Sequence, residues 1–135
     1  LKLPDDQIIK SRDGLERRFF RTKFWASSPK TYGDVVFQPD PLPETLNHRE
    51  LSKKERSKIL DYPANAKPIF FGHYWLQGKP MPVRPNICCL DYSAVKYGRL
   101  VAYRYDKADK GKALDSDNFV WLYVDPTSDE DSQRI

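Results

Sequence analysis

Between Lys67 and Tyr105 the chain reads KPIFFGHYWLQGKPMPVRPNICCLDYSAVKYGRLVAYRY. Three short apolar runs, Ile69–Phe71, Ile87–Leu90 and Leu100–Tyr105, lie between Pro-rich and polar stretches. Runs of this length bounded by turn residues read as strands, and they predict strands over 68–73, 86–92 and 99–106. FVWLYV at Phe119–Val124 adds a fourth run rich in β-formers. The first run ends in Gly72-His73. A glycine there lets the backbone bend as the strand ends and presents the imidazole at the sheet rim, where α/β proteins commonly build their chemistry.

The remainder is less regular. Two extended stretches from Ile8 to Trp25 flank Asp13-Gly14, a two-residue hairpin signal. Arg17, Arg18, Arg21 and Lys23 alternate there with Phe19, Phe20, Phe24 and Trp25. That mixture can bind single-stranded nucleic acid, but a half-buried hairpin with aromatics inward and cations outward has the same composition and is the simpler reading. Thr31–Phe37 predicts a short helical turn, and Pro39, Pro41 and Pro43 an extended connector. Glu44–Leu60, with apolar Leu46, Leu51, Ile59 and Leu60, is the best helix candidate and ends at Asp61-Tyr62-Pro63. Residues 107–117 read as a loose polar connection, and 127–135 as a frayed acidic tail. The expected fold class is α+β, mainly β, with about four to six strands and one helix in a single domain over 1–126.

With 135 residues and three Trp, eight Tyr and seven Phe, the chain can bury a modest core. No stretch reaches the length of a membrane span and no signal segment opens the chain, so a cytoplasmic protein is expected. Cys88 and Cys89 are adjacent; a bond between neighbours forms a strained ring, and buried free thiols acting as small hydrophobes are expected. The net charge of +4 is the balance of a basic body, +9 over residues 1–112, and an acidic stretch, −5 over 113–135. A basic body suits an anionic, phosphate-bearing substrate; an ordinary solvated surface is the simpler explanation.

Gly72-His73-Tyr74-Trp75, Pro85-Asn86, Cys89-Leu90-Asp91-Tyr92-Ser93, Lys96, Gly98 and Leu100-Val101-Ala102-Tyr103-Arg104 together resemble the C-terminal part of calcineurin-like metallophosphoesterases. The closest branch is that of bacterial serine/threonine-phosphatase-like and diadenosine-tetraphosphatase-like enzymes. The resemblance covers about 68–106 and extends more loosely to the region of Trp25 and Tyr32. It implies strands belonging to one sheet of a four-layer α/β sandwich, and His73 as one ligand of a two-metal centre of manganese or iron. Such a metal pair lowers the pKa of a bound water and neutralises charge on the phosphoryl oxygens. The family's GDxHG, GDxxDRG and GNHE motifs do not occur; Asn47-His48-Arg49-Glu50 imitates the last without its glycine. Tyr97 stands where these enzymes usually have a second glycine beside Gly98.

What the resemblance implies is therefore a C-terminal portion of a metal-dependent phosphoesterase, inactive alone. A start at Leu1 rather than Met suits a fragment. Asp91 is expected either to orient His73, as carboxylates do for metal-bound imidazoles, or to accept backbone N–H groups at the strand end. Tyr74 and Trp75 would wall a pocket, while Lys96 and Arg104 could face a phosphate. Asn86 reads as structural. If the missing motifs lie on another polypeptide, one sheet face lacks its cover, predicting an exposed apolar patch or self-association. The alternative is a non-catalytic partner- or anion-binding module that keeps the phosphatase-like sheet. P-loop, dinucleotide and GxSxG motifs are absent, and nothing places either cysteine beside His73.

Overall fold

The computed structural model describes residues 1–10, 14–37 and 42–124. The fold class is mixed α+β and mainly β, as expected, with small sheets and short helices. The chain clusters into two compact units, Leu1–Tyr62 and Pro63–Ile135. The acidic tail lies outside the described residues. No helix among the described residues is long and apolar enough to cross a membrane.

In the first unit, β1 (Ile9–Lys10) pairs antiparallel with β2 (Glu16–Arg17) in the register Lys10↔Glu16. The hairpin pairing is thus present; of the Asp13-Gly14 turn, Asp13 lies outside the described residues. Leu3 donates to the Arg18 carbonyl at 2.8 Å and Phe20 to that of Leu1 at 2.9 Å. This pairing buries Phe20 and turns Phe19 outward, 68% exposed, so the aromatics do not all point inward: successive residues of an extended segment face opposite sides. β3 (Arg21–Thr22) then pairs with β4 (Val36–Phe37), which follows the single-turn α1 (Tyr32–Val35). Asp34 starts that turn, its Oδ2 accepting from the N–H groups of Lys30 and Thr31, both at 2.9 Å.

The expected long helix over 44–60 is two separate turns, α2 (Glu44–Asn47) and α3 (Lys53–Arg56). Between them the chain is extended: Tyr32 donates to the Arg49 carbonyl at 2.9 Å and Leu51 to the Lys30 carbonyl at 2.8 Å. Leu46 and Leu51 are both 1% exposed. Five residues of continuous helix would rotate them to different faces, whereas the extended break delivers both to one core. That core comprises Leu3, Ile9, Phe20, Tyr32, Val35, Val36, Leu46 and Leu51. Ser52 restarts the helix, its hydroxyl accepting from Glu55 N–H at 3.2 Å while the Glu55 carboxylate accepts from Ser52 N–H at 2.8 Å, a reciprocal cap.

In the second unit, β5 (Ile69–Phe71) runs parallel to β6 (Ile87–Cys89), with Ile69 opposite Ile87. The same extended segment continues through Leu90, which donates to the Phe71 carbonyl at 2.8 Å, into β7 (Asp91–Tyr92). β7 pairs antiparallel with β8 (Arg99–Tyr103), and β8 with β9 (Phe119–Tyr123). Cys88, Tyr92, Val101, Leu114 and Phe119 form the core. On the opposite face of β8 and β9, Leu100 and Leu122 stand directly opposite each other at 63% and 72% exposure, next to the pair Ala102 and Val120.

The 107–117 connection is more ordered than its composition suggests. Asp106 and Asp115 each cap a short 3-10 turn, accepting from Ala108 N–H at 2.6 Å and from Asp117 N–H at 3.0 Å. Side chains of this kind substitute for backbone partners in turns. Leu114 between them is buried and donates to the Pro85 carbonyl at 2.7 Å.

Candidate functional site

β5 stops where its hydrogen-bonding partner β6 carries on, and the chain leaves it through Gly72, His73, Tyr74 and Trp75. The bend falls on His73 rather than on Gly72: His73 has φ 68° and Trp75 φ 48°, both left-handed. A Cβ on Gly72 would meet only Asp91 Cβ, at an ordinary 3.8 Å. The imidazole is exposed, with its ring 6.0 Å from that of Trp75 at 76°. Tyr74 turns back, edge-on to Phe71 at 5.2 Å.

Asp91 and Tyr92, both on β7, hold this loop through three hydrogen bonds. Asp91 Oδ2 accepts from Trp75 N–H at 3.2 Å and Oδ1 from Ser93 N–H at 3.0 Å. The Asp91 carbonyl accepts from Leu76 N–H at 2.9 Å. Farther along, the Tyr92 hydroxyl accepts from Met81 N–H at 3.1 Å. Asp91 therefore takes the backbone-accepting role of the two expected for it, orienting the loop that carries His73.

Lys96 lies in a 3-10 turn, Ala94–Lys96, between two more left-handed residues, Ser93 at φ 63° and Tyr97 at φ 58°. Its Nζ sits 3.9 Å above the Trp75 ring, a cation–π contact. His73, Trp75, Asp91 and Lys96 are thus brought to one rim. The two turns at this rim include four non-glycine residues in a sparsely populated conformation, His73, Trp75, Ser93 and Tyr97, and such clusters concentrate at functional sites. Arg104 is not part of it. It lies beyond the far end of β8, where its guanidinium donates to the Asp117 carbonyl at 3.2 Å.

Comparison with protein-family models, curated proteins and solved structures finds no match.

The rim itself limits what it can hold. Asp91 spends both carboxylate oxygens on backbone donors, and burial pushes the thiols of Cys88 and Cys89 up to about 12 and about 11, far from thiolate ligands at neutral pH. Among the described residues, no group of three His, Cys, Asp or Glu is placed to hold a metal ion. A two-metal centre does not fit the residues of this rim alone. His48 does not extend it: its Nε2 is 2.8 Å from Glu44 Oε1, and Arg49 pairs with Asp5 at 2.5 Å, so His48 and Arg49 are each engaged by a carboxylate of the first unit. Asn86 is 5% exposed and donates to the carbonyls of Pro63 and Ala66 at 2.8 and 3.3 Å, a structural role.

Arg99 belongs to the loop's support and carries no sequence signal beyond being a cation inside an apolar strand. Its guanidinium donates to the Gly78 carbonyl and, at 2.8 Å, to the Tyr123 hydroxyl, stacking 4.7 Å over that ring.

Proposed function

We propose that this chain is the C-terminal portion of a metal-dependent phosphoesterase, phosphoprotein-phosphatase-like or dinucleoside-polyphosphate-hydrolase-like. His73 contributes one metal ligand, and the other ligands come from outside the described residues. The observation that carries the reading is the His73 rim: an exposed imidazole on a left-handed residue, set by Asp91 through the Trp75 backbone, in a stretch that resembles that family. Lys96 and Trp75 supply a cation and an aromatic wall suited to a phosphate ester. Arg104, from its position, has no part in it.

The test is manganese-dependent hydrolysis of an aryl phosphate by the purified chain and by His73→Ala, with manganese-induced NMR broadening of the His73 loop as a second readout. The expected result is no turnover by either protein, and weak broadening around His73 that the substitution removes. Turnover lost in His73→Ala would show a complete site and overturn the claim of inactivity alone. Broadening that ignores the substitution would remove His73 from the metal site.

One observation favours the second reading, a non-catalytic partner-binding module: the Leu100, Ala102, Val120 and Leu122 face is apolar and exposed. Such patches mark interaction surfaces. Under the first reading the same face receives the segment that completes the enzyme; under the second, binding is its whole function. Leu100→Lys with Leu122→Lys should suppress self-association in sedimentation without loss of fold, and an unchanged sedimentation profile would argue against this face as a self-association surface.

A further inference from the structure

The first unit contains a cleft of about 340 Å³ to which the phosphoesterase reading assigns no role. Pro29, Ile59 and Leu60 give it an apolar wall; Lys30, Arg56 and Asp61 supply its charges. The Lys30 backbone and the Arg56 guanidinium are held by the same buried residue, Leu51. Leu51, 1% exposed, donates its N–H to the Lys30 carbonyl at 2.8 Å, and its carbonyl accepts from Arg56 Nε at 3.0 Å. The backbone of Lys30 is fixed again by Asp34, which accepts from its N–H at 2.9 Å.

With Nε committed to Leu51, the two terminal nitrogens of Arg56 remain as a donor fork, and among the described residues no carboxylate pairs with Arg56 or Lys30. A guanidinium pinned through Nε has less freedom to lose on binding, and its fork matches a carboxylate or phosphate. The volume lies within the range of small-molecule sites. The apolar wall asks for a ligand with a hydrocarbon or aromatic body. Asp61 leaves the cleft with a net charge of about +1 from its three charged residues, favouring a singly or doubly charged anion over a cation.

We propose that this cleft binds a small organic oxyanion, a carboxylate or phosphate monoester on an aromatic body, with Arg56 as the fork, Lys30 as the second cation and Pro29, Ile59 and Leu60 as the seat of the ring. The site stands apart from the His73 reading and does not depend on it.

Phenyl phosphate, benzoate, inorganic phosphate and benzyl alcohol are titrated into the full chain and followed by amide NMR. Shifts at Leu51, Arg56, Ile59 and Leu60 are expected with phenyl phosphate or benzoate, and weaker ones with the two fragments. The better of the two anions identifies the head group. Arg56→Gln should weaken binding about tenfold, Arg56→Lys by less, and His73→Ala should have no effect. Arg56→Lys keeps the charge without the fork, so it tests the geometry even if Arg56→Gln fails to fold. The proposal is overturned if neither anion shifts these amides, if Arg56→Lys binds as tightly as the parent, or if benzyl alcohol binds as well as the anions.

Discussion

The Asp91 carboxylate accepts the backbone N–H of Trp75 at 3.2 Å, tying the turn that carries His73 to the strand beginning sixteen residues farther on. Its other oxygen accepts from Ser93 at 3.0 Å. Asp91→Ala should therefore release both N–H groups, with faster hydrogen exchange at Trp75 and Ser93 and a stability loss of about 1 kcal/mol. Asp91→Asn retains one acceptor and should lose less. Unchanged exchange at both amides would contradict this role.

Tyr97 and Gly98 predict opposite responses to the glycine question. Tyr97 holds φ 58°, a conformation costing a non-glycine residue about 1–2 kcal/mol. Tyr97→Gly should thus stabilise the chain by about 0.5 kcal/mol, net of the larger unfolded-state entropy of glycine. A Cβ on Gly98 would run into the Tyr92 carbonyl oxygen and stand 2.8 Å from that of Ser93. Backbone atoms cannot yield as side chains do, so Gly98→Ala should cost about 2 kcal/mol or more. Urea denaturation of both variants checks the signs.

Acid should loosen the first unit through Glu55. The Tyr32 hydroxyl donates to the Glu55 carboxylate, and that bond, with those from Ser52, holds Glu55 below its ordinary 4.5. A folded-state pKa below the unfolded one contributes stability that is fully present above pH ~4.5 and lost as pH falls through the lower folded value. Glu55→Gln should lose stability at neutral pH, with the gap to the parent narrowing as pH falls below that range. A gap constant with pH would mean the carboxylate charge is not what matters.

The two thiols act in the opposite direction. Burial holds Cys88 and Cys89 at about 12 and about 11, above the ordinary 9.0. Raised folded values contribute stability present below pH ~9 and lost as pH rises toward them. The native chain should react slowly with an aromatic disulfide reagent at pH 8 and both thiols should react promptly in denaturant. Fast labelling of the folded chain would show that this strand pair opens readily.

Some of the site was legible in advance. The four apolar runs gave their strands because short runs rich in β-branched and aromatic residues fit a pleated, half-buried surface. Ser52-Lys53-Lys54-Glu55 carries a capping-box signature before α3; that signal lay inside the stretch read as one helix. Asp106 and Asp115 likewise mark the capped turns of a connection that polarity alone made look loose.

The sequence by itself determined that the chain is mainly β, that its cysteines are unpaired and that His73 follows a strand end, because each depends on interactions among near neighbours. Tertiary structure alone decided that β5 and β6 run parallel, that the 44–60 segment breaks so Leu46 and Leu51 reach one core, and that strain falls on His73 rather than Gly72. It also decided that Asp91 serves Trp75 and that Arg56 and Lys30 share Leu51. These outcomes depend on hydrogen bonds and burial between residues far apart in the chain, whose partners local propensity does not encode.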